Sequence, residues 1–209
     1  MTPDEITAES FRIIEQEVGQ HPFNEWEWPI ARRMIHASGD VSLVHDLRFT
    51  HDAARVGIRA LQQQTPIVTD GRMTATGIDR RLTACLNVQV ACFIDAEDVR
   101  QQAVQEQKTR SACGMEKAIA SIGTAIYVIG SAPTALLTVC DAVLHCKLKP
   151  ALILALPVGF VSVVESKQQA LALPVPVISV AGRKGGSAMA AAATNALLHL
   201  AVEDAGRIG

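Results

Sequence analysis

The chain has 209 residues, of which 49% are hydrophobic, 4% aromatic and 19% charged, and its formal net charge is −2. This length predicts one domain, residues 1–209, with a substantial core, and the apolar fraction excludes an intrinsically disordered chain. A charge near neutrality argues against a protein that coats nucleic acid. The five cysteines are odd in number and include no C-x-x-C pair. We therefore expect reduced, mostly buried thiols in a cytoplasmic protein, and no metal site.

The first part of the domain, residues 1–64, has the apolar spacing of helices. We predict one helix over 4–18, a second that ends at Gly39, and a third over 50–64. The second helix begins either at Asn24 as its N-cap or, because Pro29 lies inside that span, near Trp28. This helical part precedes a segment of different character.

Residues 65–209 alternate between short apolar runs and helical segments. The runs predict five strands, at 66–69, 84–94, 124–129, 151–156 and 175–180. The predicted helices are 96–107, 111–122, 133–144, 160–172 and 187–205. Continuously apolar strands separated by helices indicate a parallel sheet covered on both faces, so we predict an α/β fold, a three-layer α/β/α sandwich with a five-stranded parallel sheet. Pro176 lacks an N–H donor and predicts that the fifth strand lies at an edge.

One uncharged stretch, residues 118–140, is long enough to cross a bilayer, and the mean hydropathy of +0.22 raises the same question. It contains a β-branched run at 124–129, a Gly-Ser-Ala-Pro turn and an apolar segment that starts at Pro133. Because proline favours the first position of a helix, we predict a buried strand, a turn and a helix instead of a membrane span. The chain opens without a basic segment followed by an apolar one, so no secretory signal is expected.

Ligands of open parallel sheets bind beyond the carboxyl ends of the strands. Three predicted strands are followed there by loops that contain glycine and run into helices, at 130–134, 157–160 and 182–187. Such loops offer backbone N–H groups to an anion, although a glycine after a strand also serves an ordinary tight turn. The last loop is the most distinctive, because it combines three glycines with Arg183 and Lys184. No Walker A or G-x-G-x-x-G string occurs, so carboxylates would suit these loops as well as a nucleotide phosphate.

His36 lies near the end of the second predicted helix, directly after Arg32-Arg33-Met-Ile. A histidine there is also an ordinary cation at a helix C-terminus. Its neighbours are two guanidinium groups that could hold an acidic substrate, and its imidazole can act as an acid near neutral pH. These residues are therefore candidates for an acid–base site.

Four strings in collinear order resemble the precorrin-8X methylmutase family of cobalamin biosynthesis. They are R-M-I-H-A-S-G-D at 33–40, G-S-A-P-T-A-L at 130–136, P-V-G-F-V with E-S-K at 157–167, and G-R-K-G-G-S at 182–187 before Asn195-Ala-Leu197. The resemblance extends from Ser10-Phe11 to the last helix. It implies a flavodoxin-like fold, a homodimer with active sites near the subunit interface, and an isomerase. The implied reaction moves a methyl group from C-11 to C-12 of precorrin-8X, or of cobalt-precorrin-8, and produces hydrogenobyrinic or cobyrinic acid.

The resemblance also assigns residues, and it places the catalytic histidine at His36. Family members often carry Asn where Ser131 stands, and both side chains can donate a hydrogen bond. A methyl shift within one conjugated ring needs no redox cofactor, metal or covalent intermediate, whereas a hydrogen bond to a ring nitrogen would lower its barrier. The candidates for binding the substrate are polar or glycine residues: Ser10, Arg33, Arg81, Arg110, Gly130, Ser131, Thr134, Gly159, Lys167, Arg183, Lys184, Gly185, Gly186 and Ser187.

Two other functions fit the fold. A flavodoxin-like nucleotide or flavin binder is disfavoured by the lack of phosphate motifs and by the scarcity of aromatic residues after the strands, where Phe160 stands nearly alone. A non-catalytic tetrapyrrole carrier would bind the macrocycle without changing its spectrum. The sequence does not distinguish a cobalt-bearing substrate from a metal-free one.

Overall fold

The structure, a computed structural model, describes residues 1–208. The α-helices in this range are α1 Pro3–Val18, α2 Glu27–Ser38, α3 Ala53–Gln62, α4 Arg72–Gly77, α5 Arg80–Cys85, α6 Glu97–Gln105, α7 Arg110–Ser121, α8 Pro133–Leu144, α9 Val163–Leu171 and α10 Ser187–Ile208. The strands are β1 Leu47–Thr50, β2 Ile67–Thr69, β3 Val90–Ala91, β4 Ile126–Ile129, β5 Leu152–Ala155 and β6 Val177–Val180. A 3-10 helix, Val41–His45, precedes β1.

The strands form one six-stranded sheet in the order β1-β6-β5-β4-β2-β3. Strands β2 to β6 run parallel to one another, and β1 pairs with β6 in the antiparallel direction. The five parallel strands therefore have the flavodoxin-type order 2-1-3-4-5, in which the chain changes direction across the sheet between β2 and β4. The predicted α/β class is confirmed, but the sheet has a sixth strand, β1, which lies in the segment predicted to be helical.

Alternate side chains of the central strands point into two separate cores. Ile126 and Leu152 face a core built with α2, α3 and α10, whereas Tyr127 and Ile153 face a core built with α7, α8 and α9. Both faces of the sheet are therefore covered, which explains why β4, β5 and β6 are buried at every residue. This arrangement is the predicted three-layer sandwich.

Two strand predictions are wrong. Strand β6 lies between β1 and β5, so Pro176 does not mark an edge. Pro176 immediately precedes β6, where its missing N–H is not required, and its carbonyl accepts from the N–H of Ile153 at 3.0 Å. The predicted strand 84–94 is strand only at Val90 and Ala91, because α5 extends to Cys85 and the other residues are turn or irregular structure.

The other local predictions are close to the structure. Asn24 is not the N-cap of α2, since the helix begins at Glu27 and its N-cap is Trp26. The Asn24 Oδ1 nevertheless accepts from the N–H groups of Trp26 and Glu27 at 2.9 and 3.0 Å, in the turn that leads into the helix. The uncharged stretch 118–140 comprises the end of α7, then β4, then the start of α8 at Pro133, as predicted. Among residues 1–208, no helix has both the length and the hydrophobicity that crossing a bilayer requires.

The five cysteines form no disulfide. The expectation of mostly buried thiols is wrong, because Cys113 and Cys140 are buried but Cys85 and Cys146 are exposed and Cys92 is half-buried. Burial raises the pKa of the Cys140 thiol to about 12. This thiol therefore behaves as a small apolar core group.

Candidate active site

The switch point between β2 and β4 is filled by a side chain of the protein itself. Asp70 follows β2, and its side chain is 2% exposed. Its Oδ1 accepts from the N–H of Gly130 at 3.0 Å, and its Oδ2 accepts from the N–H groups of Ser131 and Ala132 at 2.8 and 2.7 Å. Folds of this type usually present these N–H groups to an anionic ligand. Here the anion is the Asp70 carboxylate.

This finding corrects the expected roles of two residues. The backbone N–H groups of Gly130 and Ser131 are used internally, so they are not free donors for a substrate. The Ser131 side chain is exposed at the same place and keeps its hydroxyl as a candidate contact. The position of Asp70, directly after a buried strand, was visible in the sequence, but its partners lie 60 to 62 residues further along the chain.

A buried hydroxyl connects the loops after β2 and β6. The Thr74 hydroxyl on α4 lies 3.4 Å from Asp70 Oδ1 and 3.1 Å from the Oγ of Ser187, the first residue of α10. A Cβ atom at Gly130 would lie 2.6 Å from the Thr74 hydroxyl and 2.9 Å from Ser187 Cα. Glycine at 130 therefore allows three elements to meet, and the Ser187 hydroxyl takes part in this packing.

The loop 182–187 is held against the loop that follows β5. The N–H of Gly186 donates to Leu156 O at 2.8 Å, and the N–H of Gly159 donates to Arg183 O at 3.3 Å. At Gly185 φ is +157°, and a Cβ there would lie 2.4 Å from Leu156 O. Glycine is therefore required at 185. The N–H groups of Gly159 and Gly186 were predicted to be free for a substrate, but they donate to carbonyl oxygens of the protein.

Lys167 does not reach the surface. It is 1% exposed on α9, and its ammonium donates to the carbonyl oxygens of Gly182, at 3.1 Å, and Lys184. Burial lowers its pKa to about 8, an effect that the Asp46 carboxylate partly opposes. Lys167 was expected to contact a substrate, but its ammonium instead forms hydrogen bonds with the inner side of the 182–187 loop.

Lys184 joins this loop to the segment that carries His36. Its Nζ lies 2.6 Å from Asp40 Oδ2 and 3.2 Å from Ser42 Oγ. The ammonium, together with the Ser42 hydroxyl, lowers the pKa of the Asp40 carboxyl below its usual range. Asp40 ends the R-M-I-H-A-S-G-D string, so two of the strings singled out in the sequence are in direct contact.

His36 is exposed in the last turn of α2, and its ring meets the Phe11 ring edge to face with centroids 5.6 Å apart. The guanidinium groups of Arg32 and Arg33 lie 4.1 and 4.8 Å from the Phe11 centroid. Arg32 is paired with Glu15. Arg33 has no carboxylate partner within residues 1–208, and burial, reinforced by the charge of Arg32, lowers its pKa. A half-buried, unneutralised guanidinium and the imidazole therefore lie against the same Phe11 ring, where the guanidinium could attract a carboxylate.

The remaining predicted residues fall into separate places. Ser10 lines a groove together with His36, Gly39 and Val41. The Thr134 hydroxyl lies 2.7 Å from that of Thr109, the N-cap of α7, which brings Arg110 close to the start of α8.

Arg81 stands apart from the rest of the predicted set. Its side chain is 91% exposed and paired with Asp79 at 3.2 Å. Within the described chain it forms no hydrogen bond or ion pair with another residue of that set.

The loop after β5 exposes apolar side chains that the sequence alone did not assign to the site. Phe160 and Val161 are 82% and 81% exposed, and Val158 is also exposed. The Arg183 guanidinium lies 5.2 Å from the Phe160 ring centroid. An aromatic face beside an unneutralised cation suits a ligand that is flat, apolar and edged with carboxylates.

The fold is that of a flavodoxin-like α/β protein. In place of a phosphate site, this edge of the sheet carries the His36 imidazole, the guanidinium groups of Arg33 and Arg183, and the exposed apolar face of Phe160. Comparison with known proteins narrows the class. The model of the precorrin-8X methylmutase family matches residues 5–200, and the chain belongs to that family. Its members are isomerases that transfer a methyl group within their substrate during cobalamin biosynthesis. The resemblance predicted from the four strings is confirmed.

Individual relatives agree with the family assignment. A cobalt-precorrin-8 methylmutase of Synechocystis sp. is 41% identical, and the match covers 94% of this chain and 95% of that protein. A precorrin-8X methylmutase of Pseudomonas aeruginosa is 44% identical over 80% of this chain and 81% of its own length. A crystal structure of precorrin-8X methylmutase from Thermus thermophilus superimposes with a TM-score of 0.88 at 37% identity, covering 95% of this chain and 98% of that one.

Proposed function

We propose that this protein moves the C-11 methyl group of precorrin-8X, or of cobalt-precorrin-8, to C-12, and that His36 is the acid. The observation that carries this proposal is the contact between Lys184 and Asp40, at 2.6 Å. Through it the segment with the imidazole adjoins the loop with Arg183. One macrocycle could therefore meet both the proton donor and a cation.

The proposed chemistry is an intramolecular rearrangement. The bond between the methyl carbon and C-11 breaks as the bond to C-12 forms, so the product is an isomer of the substrate. His36 donates a hydrogen bond or a proton to a ring nitrogen, which stabilises charge while the conjugated system reorganises, and it recovers the proton at the end. Its exposure in the last turn of α2 suits contact with a large ligand.

The substrate's carboxylates would be held by cations without an internal partner. Arg33 lies on α2 with His36, and Arg183 lies in the loop after β6. The Thr109–Thr134 contact brings Arg110 near the loop after β4. The exposed Phe160 supplies an apolar surface for the ring system. Each charge–carboxylate contact at such an exposed edge would be weak alone, and several together would provide affinity and orientation.

The proposal includes a homodimer, which follows from the family resemblance, and a cytoplasmic location. Five cysteines without a disulfide suit a reducing compartment. Sedimentation of the purified protein tests the dimer, and fractionation of cells tests the location.

The test of the activity is incubation of the purified protein with precorrin-8X and, in parallel, with cobalt-precorrin-8, followed by visible spectroscopy. We expect conversion by the parent and by His199→Ala, a change at an exposed histidine on α10. His36→Ala should bind the macrocycle but not convert it. Conversion by His36→Ala at near the parent rate would refute the role of the imidazole. Binding without conversion by the parent would favour the carrier.

A further inference from the structure

Lys167 presents an ammonium to the inner side of the 182–187 loop. Its two acceptors are the carbonyl oxygens of Gly182 and Lys184. They belong to the peptide groups 182–183 and 184–185, which are separated by the peptide group 183–184. The chain has no cis peptide bond in the described range. In a trans peptide the C=O and the following N–H point in opposite directions. The N–H groups of Arg183 and Gly185 are therefore directed away from Lys167, toward the outer side of the loop.

These two N–H groups differ from their neighbours. Gly159 and Gly186 donate to carbonyl oxygens of the protein. Within residues 1–208, the N–H groups of Arg183 and Gly185 have no acceptor in the protein. The outer side of the loop thus carries two backbone donors, and the Arg183 side chain on the same loop adds an exposed cation.

We propose that Lys167 is a positioning residue, which fixes these peptide groups so that the N–H groups of Arg183 and Gly185 bind one carboxylate of the macrocycle. This inference rests on the proposed function and adds a contact to it. Both donors are main-chain groups, so neither contact requires a particular side chain at its own residue. Lys167 itself does not touch the substrate, because it is 1% exposed.

Stability does not account for an ammonium at this position. Taking a charge out of water is costly, and replacement of a whole buried ion pair by apolar side chains is often neutral or stabilising. The acceptors of Lys167 are neutral carbonyl oxygens, so an apolar side chain at 167 would leave no unpaired charge behind. Two carbonyl acceptors compensate only part of this cost, since burial still lowers the pKa of Lys167. The Lys167 charge does have an electrostatic effect on the outer side of the loop. Because it lies on the opposite side from the N–H groups of Arg183 and Gly185, it raises the positive potential that a carboxylate meets there.

The first test compares Lys167→Met with Lys149→Met, which removes an exposed lysine before β5. For Lys167→Met we expect a KM and a product Kd about tenfold higher, a kcat within about threefold of the parent and an unfolding temperature no lower. Lys167→Gln retains N–H donors and should recover part of the affinity. A folded Lys167→Met protein with the parent Kd for product would overturn the proposal.

The second test uses the unmodified protein, so it does not depend on the folding of a variant. The amide resonances of Arg183 and Gly185 are followed during titration with the corrinoid product and, separately, with citrate, a small polycarboxylate. Both resonances should move downfield at saturation, whereas that of Gly123, in a turn whose N–H donates to Ala118 O, should not. Movement with citrate but no turnover of precorrin-8X would refute the proposed function alone. No movement with either ligand would refute the role of Lys167.

Discussion

The Nζ of Lys184 and Oδ2 of Asp40 lie 2.6 Å apart and join residues 144 positions apart in the chain. Both side chains are partly exposed, so the pair adds little to stability. Its importance is geometric. It connects the loop after β6 with the segment that follows α2, and we expect it to help position His36 relative to Arg183.

Removal of this ion pair should impair catalysis more than stability. Lys184→Ala and Asp40→Asn should each lower kcat/KM about tenfold, and the double variant should be no worse than either one, because both break the same contact. A double-mutant cycle on kcat/KM measures this coupling. The control is Lys117→Ala, which breaks an exposed pair with Asp98 of the same length, 2.6 Å, and should leave kcat/KM unchanged. Fully additive losses would show that the two residues act separately.

Asp70→Ala should destabilise the protein by about 3 kcal/mol or more, because it leaves three N–H donors without an acceptor in a mostly buried place. Asp70→Asn keeps one acceptor oxygen and should lose less. Urea unfolding measures both, with Asp98→Ala as a control at an exposed carboxylate, where the loss should be much smaller. In Asp70→Ala, phosphate should restore part of the lost stability by occupying the emptied position. Parent-like stability of Asp70→Ala without any anion would contradict this account.

Gly185→Ala should lower stability by about 1–3 kcal/mol, because a side chain at φ +157° is strained and its Cβ would collide with Leu156 O. Gly206→Ala is the matched control, since that glycine lies in α10 and a Cβ added to it would meet no other atom within 4 Å. There alanine should stabilise by up to about 1 kcal/mol. Thermal unfolding of both variants separates the two effects. Equal unfolding temperatures would mean that the loop backbone can adjust.

Lys167 should make stability depend on pH in a defined direction. Its pKa is about 8 in the native protein, against an ordinary value of 10.5. Between these pH values the unfolded chain binds a proton that the native protein has lost, so native stability rises with pH. We expect the free energy of unfolding, parent minus Lys167→Met, to increase by ~3 kcal/mol from pH 8 to 10.5. Urea unfolding across this range measures the difference, and a constant difference would contradict the burial of the charge.

Arg183→Gln should weaken binding of the product about tenfold at low ionic strength. The loss should shrink in 1 M salt, where the Debye length falls to about 3 Å. Absorbance titrations at both salt concentrations measure it. Arg55→Gln changes an arginine of α3 that is paired with Asp52 and should leave the affinity unchanged at either concentration. Parent-like affinity of Arg183→Gln at low salt would exclude this cation from the site.

The sequence was sufficient for the elements that have a strong local signal. The run that became β4 is dense in β-branched residues, and Pro133 marks the start of α8, so the strand, turn and helix were predictable. Strand β1 was not, because Leu47–Thr50 is short and contains a charged residue. Its pairing, Leu47 with Val180, depends on a partner more than 130 residues away.

The candidate site shows the same division. His36, Arg33 and the glycine loops were recognisable from residue type and from the resemblance. The roles of Asp70 and Lys167 were not, because each depends on which loops become neighbours after the strands are ordered. A lysine in a short amphipathic helix is usually exposed, and only the folded arrangement shows that this one lies beneath the loop.

The Asp70 carboxylate has a wider consequence for selectivity. Phosphorylated metabolites are abundant in every cell, and the flavodoxin topology offers them a ready-made receptor. This protein retains the topology, but the Asp70 carboxylate occupies the anion position and accepts three hydrogen bonds from the main chain. At this position the N–H groups of the loop after β4 are therefore not available to a phosphate, and a ligand must be held by other groups at this edge of the sheet.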